Sequence, residues 1–122
     1  MRNKSLMKKA RRPFKGYPMA SIAFYGPTDQ LATKIAVGII LQENSDTSDL
    51  RRWFSKSDIR EDEQIAQEIE EFIKEHTVKS VVLTDKIIGC PHEEGKDYPD
   101  GEVCPECPFW AGRDRWTGEV EQ

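Results

Sequence analysis

The chain of 122 residues has no hydrophobic run approaching the roughly 18 residues that a membrane-crossing helix requires. Its first sixteen residues contain no acidic side chain, and they lack the apolar core segment of a secretory signal. Histidine is limited to two copies and cysteine to three. An odd cysteine count makes one disulfide and leaves a thiol over, which is awkward for a secreted scaffold. These absences argue against a membrane span, an export signal and a disulfide framework, and lead us to expect a cytoplasmic protein. Outside one stretch near the C-terminus, no set of residues makes a complete catalytic constellation.

What is present fits one small domain. A third of the residues are charged and 37% are hydrophobic, which implies a soluble globular chain with a modest core. Domains of this size often gain stability from a bound metal. The net charge of −4 conceals an asymmetry: residues 1–16 hold seven bases (Arg2, Lys4, Lys8, Lys9, Arg11, Arg12 and Lys15), and the remainder carries 11 bases against 22 acids. A basic arm on an acidic body suggests contact with nucleic acid or an acidic surface, or else a solvated lead-in upstream of a start at Met7 or Met19. The expected organisation is a basic, disordered arm over 1–16, a globular domain over 17–116 with a metal loop at 89–110, and a flexible tail over 117–122.

The stretch that stands out contains every cysteine and one of the histidines. Cys90 and His92 form C-x-H, eleven residues follow, and Cys104 and Cys107 form C-x-x-C. Structural zinc takes four such donors in a tetrahedron. If the backbone at Cys90 is extended, residues two apart point the same way, so Cys90 and His92 can reach one ion. Gly95, Pro99 and Gly101 supply turn formers that let the intervening loop double back. The second pair, Cys104-Pro105-Glu106-Cys107-Pro108, resembles the knuckles of zinc ribbons and rubredoxin-like sites. The expected cofactor is therefore Zn2+, with iron making similar demands on a thiolate-rich site. Glu93, Glu94, Asp97, Asp100 and Glu102 crowd the loop and are candidates to orient His92.

Other readings of these residues are free buried cysteines, a disulfide, or a C-x-x-C redox pair. Two prolines and Phe109-Trp110 do not look like the helix start that a redox pair normally opens. His92-Glu93-Glu94 also fits the H-x-E of zinc deaminases, with Glu94 as acid/base, and C-x-x-C completes that signature. Against it, Val103 stands where that signature has proline, the gap is too short and turn-rich for two helices, and Cys90 is left over.

The string Cys90-Pro-His-Glu-Glu-Gly-x-Asp-Tyr-Pro-x-Gly-x-x-Cys-Pro-x-Cys-Pro-Phe-Trp-x-x-Arg-Asp-Arg115, with Ala23 to Thr28 upstream, resembles a family of small bacterial proteins. The resemblance covers most of the chain after Tyr17. It implies a bacterial cytosolic origin and transfers no activity.

Periodicity supplies the expected fold. Met19 to Tyr25 alternates and reads as a strand, and Gly26 to Asp29 as a turn. Leu31, Thr33, Ile35, Val37, Ile39 and Leu41 recur at period two, which favours a second strand over a helix. Leu50 to Ser55 reads as a third strand, at an edge. Asp58 as N-cap with Glu61 opens a helix whose stripe is Ile65, Ala66, Ile69, Phe72 and Ile73. His76 closes that stripe as a cap and not as a ligand. Val78 to Leu83 forms a fourth strand, which Thr84-Asp85-Lys86 interrupts before Ile87 and Ile88 lead into the metal loop. The fold class is α+β: a three-stranded antiparallel meander, one helix, a fourth strand, then a C-terminal zinc knuckle.

Phe109, Trp110, Arg113, Arg115 and Trp116 have the composition of a surface that stacks single-stranded nucleic acid, at about 1–3 kcal/mol per base. The alternative is that Phe109 and Trp110 shield the thiolates and fill the core. The acidic body disfavours phosphate, so the expected partner is a macromolecule, protein in preference to nucleic acid, and no membrane. The function expected is a non-enzymatic, zinc-stabilised interaction module; the rivals are a zinc hydrolase or deaminase and a thiol redox protein.

Overall fold

Alternation decides the sheet. The computed structural model describes residues 4–102 and 104–111, and in it Met19–Tyr25 (β1), Lys34–Ile40 (β2), Asp49–Phe54 (β3) and Ser80–Ile87 (β4) form one sheet in the order β3-β2-β1-β4. β1, β2 and β3 make the antiparallel meander, and β4 returns to lie parallel to β1. On one face Ala20, Ile22 and Phe24 pair with Ile39, Val37 and Ile35, and all six are buried. Trp53 extends this row from β3, paired with Ile35.

The helix Glu63–Glu75 (α2) covers that face. Ala66, Ile69, Phe72 and Ile73 recur at three- and four-residue spacing and are buried against the sheet. Each large side chain buried this way contributes about 1.5–3 kcal/mol. The start of α2 differs from the sequence expectation. Asp58 caps a short 3-10 turn at Ile59–Glu61, and the helix proper is capped by Asp62, whose carboxylate accepts from the Ile65 N–H at 3.0 Å. The fully buried Ile59, with its N–H on the Ala32 carbonyl, draws the turn into the core and forces a second start. His76 is the C-cap; its ring packs edge-on against Phe72 and its Nε2 lies 3.1 Å from Asp49.

Three further features depart from the expectation. Leu41 lies beyond the end of β2 and is half exposed, because the chain turns after Ile40. The Thr84 to Lys86 stretch does not interrupt β4 but bulges within it: Ile22 pairs with Leu83 and Phe24 with Ile87, so three residues of β4 stand opposite Ala23 of β1. Finally, residues 1–16, expected to be a disordered arm, contain the helix Lys4–Arg11 (α1), which packs along β4. Its Leu6 is fully buried in the common core, and Lys9 lies 3.7 Å from Glu70 of α2. Leu6 and Ala10, four residues apart, with Met7 beside them, make a narrow apolar face on an otherwise cationic helix, and two turns are too short for that face to stand out in the sequence. The acidic face of α2 thus finds part of its basic partner within the same chain, and a second part in Arg51, 3.7 Å from Glu68.

Candidate metal centre

The loop leaves the sheet where the β1/β4 ladder ends. Ile88 donates to the Phe24 carbonyl at 2.9 Å and Gly26 donates to the Gly89 carbonyl at 2.9 Å, so the chain is still registered with β1 when it reaches Cys90. Gly26 is required at this crossing: a Cβ there would sit 1.7 Å from the Leu31 carbonyl oxygen. The buried Gly26 carbonyl in turn accepts the indole N–H of Trp110 at 2.8 Å, which ties the far end of the loop to the same point.

Between these anchors the four expected donors converge. Nδ1 of His92 lies 3.2 Å from the sulfur of Cys90 and 3.4 Å from those of Cys104 and Cys107. All four ligand atoms fall within 4.8 Å of one another. Bonds of about 2.3 Å to sulfur and 2.0–2.1 Å to nitrogen at tetrahedral angles place neighbouring S and N about 3.5 Å apart. The three S···N separations meet that condition, and the group can hold a metal ion. The Cys90 sulfur also accepts the His92 backbone N–H at 3.2 Å, and the Cys107 N–H donates to the Cys104 carbonyl, which closes the second knuckle. Cys104 and Cys107 are buried; Cys90 and His92 are partly buried.

The electrostatics ask for a cation. Burial pushes the Cys90 thiol up from its ordinary range, and the neighbouring sulfurs of Cys107 and Cys104 push it further. Burial likewise raises the Cys107 thiol, with the charges of Cys104 and Glu106 adding to it. Three sulfurs this close cannot all be thiolates unless a positive ion sits among them. His92 is oriented for the role. Its Nε2 faces a Glu106 carboxylate oxygen at 2.9 Å, which leaves the Nδ1 lone pair toward the sulfurs.

The carboxylate that meets His92 was not among the loop acids singled out from the sequence. Glu106 stands inside the C-x-x-C itself, where the knuckle turn brings it over the ring; its placement between two cysteines was the available signal. The other acids do different work. The Glu93 carboxylate lies 2.8 Å from Arg52 and 3.4 Å from Lys34. Burial works to raise that carboxyl, but the Arg52 hydrogen bond and the charges of Lys34 and Arg52 outweigh it and hold it low. Asp97 accepts the Glu93 N–H at 2.7 Å and folds the loop back on itself. The Glu94 side chain is exposed and accepts the Gly101 N–H at 3.1 Å, which braces the turn. Lys34 and Arg52 were overlooked as neighbours of the site because strand alternation reveals a face and not what a distant loop lays against it.

Trp110 packs against the core, with Phe109 edge-on to it at 5.0 Å. Arg113, Arg115 and Trp116 lie outside the described residues. Among the described residues no helix is long and apolar enough to cross a membrane. Comparison of the chain with protein-family models, with curated proteins and with solved structures finds no match, so the donor set and its surroundings carry the functional argument.

Proposed function

We propose that the chain is a non-enzymatic, zinc-stabilised interaction domain. One observation carries the reading: three sulfurs and one imidazole nitrogen lie at mutual distances suited to a single tetrahedral ion, with no donor missing. A catalytic zinc keeps a position open for water, usually with three protein ligands. Four protein donors complete the tetrahedron and favour a structural ion. Zinc is favoured because three thiolates and one imidazole are a ligand set of structural zinc sites.

The ion fastens the loop onto the end of β4. The surface so shaped serves a macromolecular partner in the cytoplasm. A protein partner is favoured over nucleic acid because the chain beyond residue 16 carries twice as many acids as bases, and phosphate contacts dominate nucleic-acid affinity. The test is metal analysis of the purified protein followed by cobalt substitution. About one zinc per chain is expected, and the cobalt form should show a tetrahedral, thiolate-rich spectrum that azide and cyanide leave unchanged. Anion-dependent changes in that spectrum would instead reveal an open position and support a hydrolytic enzyme.

A further inference from the structure

Lysine is almost never fully buried unless it is paired, yet Lys34 is only 3% exposed. It lies on the sheet face opposite α2, in register between Tyr25 of β1 and Phe54 of β3. Its ammonium sits 5.2 Å from the centre of the Tyr25 ring and 5.7 Å from that of Phe54. A methionine would fill this slot without the cost of desolvating a charge. What the charge does is reach the loop. Lys34 Nζ donates to the Pro91 carbonyl at 3.0 Å, between the two ligands of the first knuckle. It also lies 3.4 Å from one Glu93 carboxylate oxygen, while Arg52 binds the other at 2.8 Å. Both residues flanking His92 are therefore held by cations rooted in β2 and β3.

The second knuckle is held differently. Cys104 and Cys107 are shaped by the bonds of their own turn, and Trp110 beyond them meets the body through its indole on Gly26 and its packing against the core. The two halves of the site are thus unequally prepared. We propose that Lys34, Arg52 and Glu93 form a clamp that sets Cys90 and His92 in ligating geometry before the ion arrives, so that metal binding closes the Cys104–Cys107 half onto a ready-made first half. The proposal rests on the metal reading above and goes beyond it by dividing the site into a prepared half and a recruited half. These three are positioning residues: Glu93 and the Pro91 carbonyl take the cations, and the ligands follow.

The test has two arms. Metal-free protein is examined by hydrogen exchange, comparing the segment 88–93 with the segment 104–110. Slow exchange in the first and fast exchange in the second is expected, with Lys34→Met, Arg52→Met and Glu93→Gln each bringing the first up to the rate of the second. Equal rates in the unaltered chain would overturn the clamp. In the second arm each variant competes for Zn2+ against a chromophoric chelator, and a loss of affinity of roughly 10- to 100-fold with faster metal release is expected. Asp62→Ala, which weakens the body at a cap away from the site, controls for stability and should leave affinity unchanged. Variants that bind as tightly as the unaltered chain would sink the proposal. Should Lys34→Met fail to fold, the half-exposed Arg52 and Glu93 still decide it. If the unaltered chain takes up no metal, the proposed function fails, and the exchange arm alone judges the clamp.

Discussion

Along β1 alternate side chains are buried, β2 is buried at five of its seven positions, and α2 lays four more side chains against them. Between Cys90 and Ala111, by contrast, the buried side chains among the described residues are Cys104 and Cys107. The body coheres by removing apolar surface from water; the loop coheres by hydrogen bonds and the ion pairs of Glu93, and it gathers four donors that can hold one ion. Apolar burial needs no partner and survives changes of pH and chelation. A loop built from donors depends on both. The division also explains why the loop is so acidic: its charges never enter the core, and those that approach the sheet do so through Glu93, against two cations.

The contrast can be broken first at the core. Phe24 is fully buried near the end of β1, and Phe24→Ala should cost about 3–5 kcal/mol. The expected signature is a fall in the urea midpoint of the whole transition, with metal released as the body unfolds. A variant that kept its body and lost only its metal would show that the loop supports the sheet and not the reverse.

Removing the ion should do the opposite. Cys104→Ser, or a strong chelator, is expected to abolish zinc stoichiometry and to speed exchange across 104–110, while the far-UV signal of sheet and helix stays near its starting value. The pH response should also change sign. With zinc bound, acid competes for the thiolates and His92, so stability falls as pH falls. Without zinc, the Cys90 and Cys107 thiols are held above their ordinary range, mainly by burial. A group raised in the folded state contributes stability that is complete below its unfolded value, about 8.5, and is lost as pH rises through its folded value. Melting the two forms from about pH 5 to about pH 10 should therefore give curves that slope in opposite directions at the two ends.

Much of this contrast was legible beforehand. Period-two alternation located three strands, and the stripe from Ile65 to Ile73 located the helix, because burial on one face leaves a repeating mark. The spacing of Cys90, His92, Cys104 and Cys107 marked the donors, because a tetrahedral ion tolerates few arrangements. What stayed hidden is short or depends on distant parts of the chain. The apolar face of α1, Leu6 with Met7 and Ala10, is only two turns long and is set among cations. Glu106 reaches His92 only because the knuckle turns. Lys34 and Arg52 lie in alternating strands whose outward residues look like ordinary solvent-facing cations until the loop is laid over them.

Trp110 joins the two regions and should show an intermediate effect. Trp110→Phe keeps the ring packed near the core but deletes the donor to the buried Gly26 carbonyl. Leaving that oxygen unpaired should cost about 1–3 kcal/mol. Because the tie spans body and loop, the denaturant midpoint and the zinc off-rate are both expected to shift. A change in one alone would place the indole wholly in one region.

The smallest effect is expected at Glu106. Its side chain is 72% exposed, so water can replace much of what the carboxylate gives His92 Nε2. Glu106→Gln keeps an oxygen that can accept from Nε2 and removes only the charge. Zinc affinity, read by chelator competition, should fall by less than about tenfold, below the usual range for a buried partner of a metal-bound histidine. The denaturant midpoint of the body should not move, since Glu106 takes no part in the core. A larger loss would mean that the charge, and not merely the orientation of the ring, holds the ion. The exposed rim of the site would then contribute as much as the clamp beneath it.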